Sequence, residues 1–143
     1  MPEAASLHVT NRILVVEDDD QVRRSIKLFL RGRGYDVDAY SSAAELLSLH
    51  PRPRADCLLI DYKMARMDGL DLLKRLRAEG DETPALMLTG FFSQTLRDRA
   101  IDVGFTDVME KPTGAQALMS KISSILDAAR NTVSRRRDPQ QDQ

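Results

Sequence analysis

The sequence predicts an α/β fold: a doubly wound, five-stranded parallel sheet of (βα)5 type. Three observations predict it. Short strand-like runs alternate five times with segments whose apolar residues recur at helical spacing. The inner runs are continuously apolar, as strands buried on both faces are. Polar and charged residues stand at the carboxyl ends of the runs, where such sheets keep their ligand sites.

The first run, Arg12–Val16, is apolar and β-branched and gives way to acidic residues. Val22, Ile26, Phe29 and Leu30 follow at helical spacing, and Gly32 and Gly34 mark a stop. Residues 35–39 (YDVDA) alternate, as a strand near a sheet edge does. Ser41 or Ser42 is placed to cap a short helix through Leu46, Leu47 and Leu49, closed by Pro51 and Pro53. A third strand is expected at 56–60. Asp68 then reads as a helix cap, with Leu70, Leu73 and Leu76 on one face. Pro84 precedes a fourth strand that ends at Thr89 and Gly90. Ser93 is placed to cap a helix that runs to Val103 and stops at Gly104. A short fifth strand is expected at 106–109. Leu118, Ile122, Ile125, Leu126 and Ala129 form the apolar face of a final helix.

Composition narrows the function. The chain has 143 residues, 42% hydrophobic and 30% charged, which fits one globular domain with a real core. A net charge of -1 gives no global field that favours nucleic acid or an anionic membrane, so no direct nucleic-acid binding is expected. Cys57 is the single cysteine, which excludes an internal disulfide and a cysteine-based zinc site. No apolar run approaches the ~20 residues of a membrane span. The opening MPEAASLHVTNR lacks a basic head followed by an apolar stretch, so no signal peptide and a cytoplasmic location are expected.

The expected strand ends carry the chemistry. The first ends in Glu17, Asp18, Asp19 and Asp20, the third in Asp61, the fourth in Thr89, and the fifth in Glu110-Lys111-Pro112. If the first and third strands are neighbours, several carboxylates converge. Two unit charges about 4 Å apart repel by about 4 kcal/mol at an effective dielectric of about 20. Such a cluster keeps a proton or takes up a cation, and hard carboxylate oxygens suit Mg²⁺. A lysine and a hydroxyl on the same rim add donors for a tetrahedral anion. Together these are the parts of a phosphoryl-transfer site with an aspartate as nucleophile.

Four segments carry a family resemblance: ILVVEDD (13–19), LLIDYKMARMDGL (58–70), LMLTG (86–90) and DVMEKP (107–112). In this order and spacing the chain resembles the receiver domain of bacterial two-component response regulators, from Arg12 to about Ala129. The resemblance implies the CheY-like, flavodoxin-like strand order 2-1-3-4-5. It divides the chain into an N-terminal extension (1–11), a receiver (12–130) and a polar tail (131–143). It implies that Asp61 accepts a phosphoryl group from a phosphohistidine on a sensor histidine kinase or a histidine phosphotransfer protein. Asp18 and Asp61 would bind Mg²⁺ directly, Glu17 through water, and Lys63 through its backbone carbonyl. Lys111 would pair with a phosphoryl oxygen, Thr89 would swing inward to hydrogen-bond another, and the Lys111–Pro112 bond would be cis. Many receivers pair as homodimers through the fourth helix, fifth strand and fifth helix.

The chain departs from the family pattern at three places. Ala65 stands where a proline is usual, Val108 where an aromatic residue usually rotates during switching, and Thr113 where a phenylalanine is common. Phe91 or Phe92, next to Thr89, is the candidate to supply the missing aromatic switch. Lys63 and Phe91, each two residues beyond a site residue, bring no amide to orient an attacking water, which predicts a long-lived phosphoryl group.

Each residue also has an ordinary reading when taken alone. Asp61 could be a strand-end carboxylate, and Glu17 to Asp20 a solvated run favouring a helix start, with Asp19 or Asp20 as cap. Thr89 and Lys111 are unremarkable singly. Gly69 reads as a helix-start residue, Cys57 as buried packing, and His8 and His50 are assigned no role. The set in order outweighs these readings. Arg135, Arg136 and Arg137 read as solvated surface in a polar tail. The simplest expectation is a stand-alone receiver that works by binding a partner. The rivals are a receiver fragment of a DNA-binding regulator, a non-phosphorylated pseudo-receiver, an aspartyl phosphohydrolase and a flavodoxin-like mononucleotide binder. The phosphohydrolase class wants an acid where Lys63 stands, and EDDDQ would repel a bare phosphate.

Overall fold

The computed structural model of the chain describes residues 10–137, with side chains through Asn131. Among these residues the elements in order are β1 (Arg12–Val16), α1 (Asp20–Gly32), β2 (Asp36–Tyr40), α2 (Ala43–Leu47), β3 (Cys57–Asp61), α3 (Gly69–Ala78), β4 (Ala85–Thr89), α4 (Gln94–Val103), β5 (Asp107–Glu110) and α5 (Ala115–Arg137). The strands form one sheet in the order β2-β1-β3-β4-β5, every pair parallel. The resemblance-based strand order is therefore the observed one.

Side-chain alternation along the strands sorts the core into two layers. Leu14, Val16, Leu58, Ile60, Ala85 and Met87 face α2, α3 and α4, where Leu46, Leu70, Leu73, Leu76 and Leu96 meet them. Ile13, Val15, Cys57, Leu59, Leu86 and Leu88 face α1 and α5, meeting Leu30, Leu118, Ile122, Ile125 and Leu126. Both layers use the inner strands, which is why β1, β3 and β4 read as unbroken apolar runs. Each fully buried leucine or isoleucine stabilises by about 1.5–3 kcal/mol relative to exposure. Cys57 is one of these core residues, and burial pushes its thiol up to about 12, so it is inert at neutral pH.

The caps follow the sequence. Asp19 caps α1 by accepting from the Val22 N–H (3.0 Å), Ser42 caps α2 through Glu45 N–H (3.0 Å), Asp68 caps α3 through Asp71 N–H (2.9 Å), and Ser93 caps α4 through Leu96 N–H (3.0 Å). Gly104 ends α4 at a φ of +125°, a conformation that suits glycine.

Five strand and helix bounds differ from expectation. β2, β3 and β5 each sit one residue later than the expected 35–39, 56–60 and 106–109. Register explains this: Val16 pairs with Tyr40, Asp61 with Leu88, and Glu110 with Thr89, so partner strands fix the ends. Asp56, expected inside β3, instead uses its carboxylate to accept from Arg12 N–H at 2.8 Å. α2 stops at Leu47, with Ser48 as its cap, before either proline. The last helix continues to Arg137, past the expected boundary at 130. The extension through Val9, with His8, and residues 138–143 lie outside the described residues, as do the side chains of Arg135, Arg136 and Arg137.

One charged knot ties α4, β5 and α5 together. The Asp107 carboxylate meets Arg97 Nε at 3.2 Å, Lys121 Nζ at 2.7 Å and its neighbour's Val108 N–H at 2.8 Å. Burial pushes this carboxyl up, but Lys121, the Val108 N–H and Arg97 together outweigh it, so it titrates below its ordinary 3.8. A depressed carboxyl contributes stability above the unfolded-state value and loses it as pH falls through the folded-state value. Asp107→Asn is therefore expected to cost about 1 kcal/mol at pH near 7, a figure kept low because the partners are partly solvated. Urea titrations should show the gap closing as pH goes from about 5 towards about 3. A gap unchanged over that range would assign the loss to packing instead.

Candidate functional site

The strand order reverses between β1 and β3, because the chain leaves β1 for β2 and returns across it. The crevice outside the carboxyl ends at that point is the expected site. Glu17, the residue after β1, is buried at 2% exposure, and its N–H donates to Tyr40 O at 3.0 Å, which extends the β1–β2 ladder by one step. Asp18 is exposed. Asp61 is the last residue of β3 and is 5% exposed. One carboxylate oxygen from each of Glu17, Asp18 and Asp61 lies within 4.8 Å of the other two.

Lys111 follows β5, and its N–H donates to Thr89 O at 2.7 Å. Its Nζ lies between the two buried acids, 2.5 Å from Glu17 Oε1 and 3.0 Å from Asp61 Oδ1. The Lys111–Pro112 bond is cis. Burial and the adjacent Asp61 push the Glu17 carboxyl up, against the opposing pull of Lys111. Burial draws the Lys111 ammonium down, but its pairing with Glu17 and Asp61 prevails and raises it. With all groups ionised, three carboxylates and one ammonium leave the cluster two charges negative. Two missing positive charges, hard oxygen donors and an exposed side at Asp18 fit Mg²⁺, which keeps waters while binding few carboxylates.

The run Glu17 to Asp20 divides into four jobs. Glu17 pairs inward with Lys111, Asp18 joins the cluster, Asp19 caps α1, and Asp20 pairs with Arg23 at 2.6 Å. Thr89 is fully buried at the end of β4, and its Oγ1 accepts from Phe91 N–H at 2.9 Å. The hydroxyl proton is thus left for another acceptor. Lys63 does not turn into the acidic cluster: its Nζ stands over the Phe91 ring, 4.8 Å from the centroid. Phe91 is 64% exposed and Phe92 40%, whereas Val108 is packed in the core against α4. The loop that carries Lys63 also holds Arg66 at a φ of +71°, the one non-glycine residue with positive φ among those described.

Two further residues act on this site: Gly69, which the sequence marks only as a helix start, and Arg23, which it does not mark. Gly69 is buried where α3 starts against the backbone of Asp61. Arg23 sends Nη1 to the Glu17 carbonyl at 2.9 Å. The only signal for Arg23 was its place in the first turns of α1, from which helical side chains lean back towards the N-terminus.

The model of the response regulator receiver domain family matches residues 13–123. The chain belongs to that family. It is a signalling module rather than a classical enzyme, and receivers take phosphoryl groups from histidine kinases. It is 37% identical over 115 residues to the response regulator MprA of Mycobacterium leprae, covering 80% of this chain and 50% of that protein. The chain thus spans about half the length of the curated relatives it matches. Among solved structures, a CheY-like receiver domain protein from Methanospirillum hungatei superposes with a TM-score of 0.81 at 27% identity, over 87% of this chain and 99% of that one. The receiver domain of the Francisella response regulator 1452 gives 0.78 at 26% identity, over 84% and 99%. No helix among the described residues is long and apolar enough to cross a membrane.

Proposed function

We propose that this receiver accepts a phosphoryl group on Asp61 from a phosphohistidine of a sensor histidine kinase or a histidine phosphotransfer protein. The observation that carries the reading is the Lys111 ammonium held between buried Asp61 and Glu17. An Asp61 carboxylate oxygen forms a bond to phosphorus as the P–N bond to the donor imidazole breaks. Lys111 then pairs with a phosphoryl oxygen, and Thr89 donates its hydroxyl proton to another. Asp18 and Asp61 would hold Mg²⁺ directly, Glu17 through water and Lys63 through its carbonyl; when bound, the ion offsets charge on the transferring group. A hollow of about 540 Å³, lined by Val22, Ile26, Leu88 and Pro112 together with Gln21, Ser25, Lys111 and Thr113, offers the donor protein a seat beside the site. The setting is cytoplasmic, without membrane or direct nucleic-acid contact.

The added phosphoryl carries about -1.5 to -2 charge and three acceptor oxygens, enough to bias a two-state element. Thr89 is that element's hinge. If its hydroxyl turns to the phosphoryl group, the Phe91 N–H bond is stretched or lost, and the exposed rings of Phe91 and Phe92 report the change in place of Val108. Structures of the activated and resting forms with both rings unmoved would refute this. A homodimer through α4, β5 and α5, the elements that the Asp107 knot ties together, is the output this reading favours.

The deciding test is intact-mass analysis after incubation with acetyl phosphate and Mg²⁺, alongside Asp61→Asn and a sample in EDTA. A single phosphoryl adduct that needs both Asp61 and Mg²⁺ is expected. Absence of an adduct, where a control receiver acquires one, would make the chain a pseudo-receiver that works by binding alone.

The Lys63–Phe91 contact bears on how long the phosphoryl group lasts. It joins the loops that follow β3 and β4, two residues beyond Asp61 and two beyond Thr89, and ties an exposed ring to the rim of the site. Self-dephosphorylation is expected to be slow, and a half-life of seconds would contradict that. An exposed cation–π contact is worth ~0.5–1 kcal/mol, so Phe91→Ala should shorten the half-life by about two- to fivefold.

A further inference from the structure

The geometry points to Arg23 as a positioning residue for the acidic pair, an inference that rests on the phosphoacceptor reading above. Beyond Val16 the β1 ladder has a single step left, from Glu17 N–H to Tyr40 O. The other backbone group of Glu17, its carbonyl, takes Arg23 Nη1 at 2.9 Å. Nη2 of the same guanidinium holds Asp20 Oδ1 at 2.6 Å. Both backbone groups of Glu17 are thus fixed, one by the sheet and one by α1. The peptide plane that leads into Asp18 is set by that second bond. Asp19 closes the far side of Asp18 by capping α1 through Val22 N–H. Asp18, the exposed acid of the cluster, therefore hangs between two anchored points, and that suspension aims its carboxylate at Asp61 and Glu17.

The residue type matches the task. The arginine fork offers donors at fixed spacing, so one side chain can hold a carbonyl and a carboxylate at once. Arg23 has a side chain only 22% exposed, while its partner Asp20 is 79% exposed. Asp20 thus reads as the solvent-side stay of the guanidinium.

Charge and position make opposite forecasts for Mg²⁺ affinity. A cation near the acids repels a divalent ion, so deleting it for charge alone should tighten Mg²⁺ binding. If Arg23 instead aims Asp18, deleting it should weaken binding, and loss of a residue that orients a ligand typically costs ~10–100-fold in metal affinity. The experiment is calorimetric titration of the full chain with Mg²⁺ at fixed ionic strength. The variants are Arg23→Met, which keeps the stem and loses every donor, Arg23→Lys, which keeps the charge and loses the fork, and Arg24→Met, an equal charge change on the exposed neighbour. Expected is an order of affinity with wild type first, Arg23→Lys next and Arg23→Met last, the last weaker by about tenfold. Arg24→Met should match wild type or bind slightly tighter. Wild-type or tighter affinity in Arg23→Met overturns the proposal. Should that variant fail to fold, wild-type affinity in Arg23→Lys overturns it, since a point ammonium does not reproduce the two fixed donor positions of the guanidinium fork. If wild type itself binds no Mg²⁺, the phosphoacceptor reading falls, and the proposal with it.

Discussion

Gly69→Ala is expected to unseat Asp61 and to destabilise the domain, although alanine is the better helix former. A Cβ at position 69 would lie 2.5 Å from the Asp61 carbonyl oxygen, 3.2 Å from its carbonyl carbon and 3.2 Å from Ile60 Cγ2. No flexible side-chain end is there to step aside. The first contact is backbone, in a strand paired on one side with β1 and on the other with β4. Gly69 N–H also donates to Tyr62 O at 2.8 Å, so α3 cannot slide away without losing that bond. Alanine gains up to about 1 kcal/mol in helix propensity. Forcing a group into a packed site costs about 1–3 kcal/mol. The steric cost wins, and the displaced atoms belong to the phosphoacceptor itself. Urea denaturation should show the loss, and the rate of adduct formation from acetyl phosphate should fall with it. Gly32→Ala, at the end of α1 with nothing within 4 Å of a new Cβ, is the control and should be neutral or stabilising. A Gly69→Ala protein as stable and as reactive as wild type would mean that α3 yields freely, and the close approach would carry no function.

Gly69 and Arg23 also show where a sequence stops being readable. The acids, Thr89 and Lys111 stood out because their residue types repeat a chemical theme at successive strand ends, and strand ends are legible from periodicity. Burial of the sheet on both faces was legible too, since an unbroken apolar run in β1, β3 and β4 is a property of each strand alone. Gly69 and Arg23 act on backbone atoms: the Asp61 carbonyl in one case and the Glu17 carbonyl in the other. Every residue has a carbonyl, so nothing in the letters marks which one is approached. The one-residue shifts in β2, β3 and β5 have a related cause, because the register that fixes a strand end belongs to its neighbour. Lys63 and Phe91 stand out in the sequence by position, two residues beyond Asp61 and Thr89, but their contact depends on the loops after β3 and β4 meeting. Val108 stands where the family's rotating aromatic residue is usual. In the folded chain it is a core residue against α4, and the exposed aromatic rings are those of Phe91 and Phe92.

Lys111→Met is expected to give the opposite response to Mg²⁺ from Arg23→Met, and the contrast separates two ways a cation can serve one acidic site. Lys111 touches carboxylate oxygens, whereas Arg23 touches a carbonyl beside them. Without Lys111, Glu17 and Asp61 stay buried with no ammonium between them, and breaking a buried pair in this way typically costs ~3–5 kcal/mol. The lower end applies here, because burial and Asp61 already raise the Glu17 carboxyl and a proton relieves part of the repulsion. The cluster also moves from two negative charges to three, and no ammonium competes for the oxygens. Mg²⁺ should therefore bind Lys111→Met more tightly than wild type. An ion present at about 100 times its dissociation constant stabilises the folded state by about 2.7 kcal/mol, so saturating Mg²⁺ should return much of the loss. The measurement is urea denaturation of both proteins in EDTA and in Mg²⁺. A wide gap in chelator that narrows with the ion is the expected pattern, while the phosphoryl adduct of the variant stays poor because its oxygen partner is gone. A gap that widens with Mg²⁺ would mean that Lys111, like Arg23, aims the acids rather than neutralising them, and the charge count at this site would have to be redrawn.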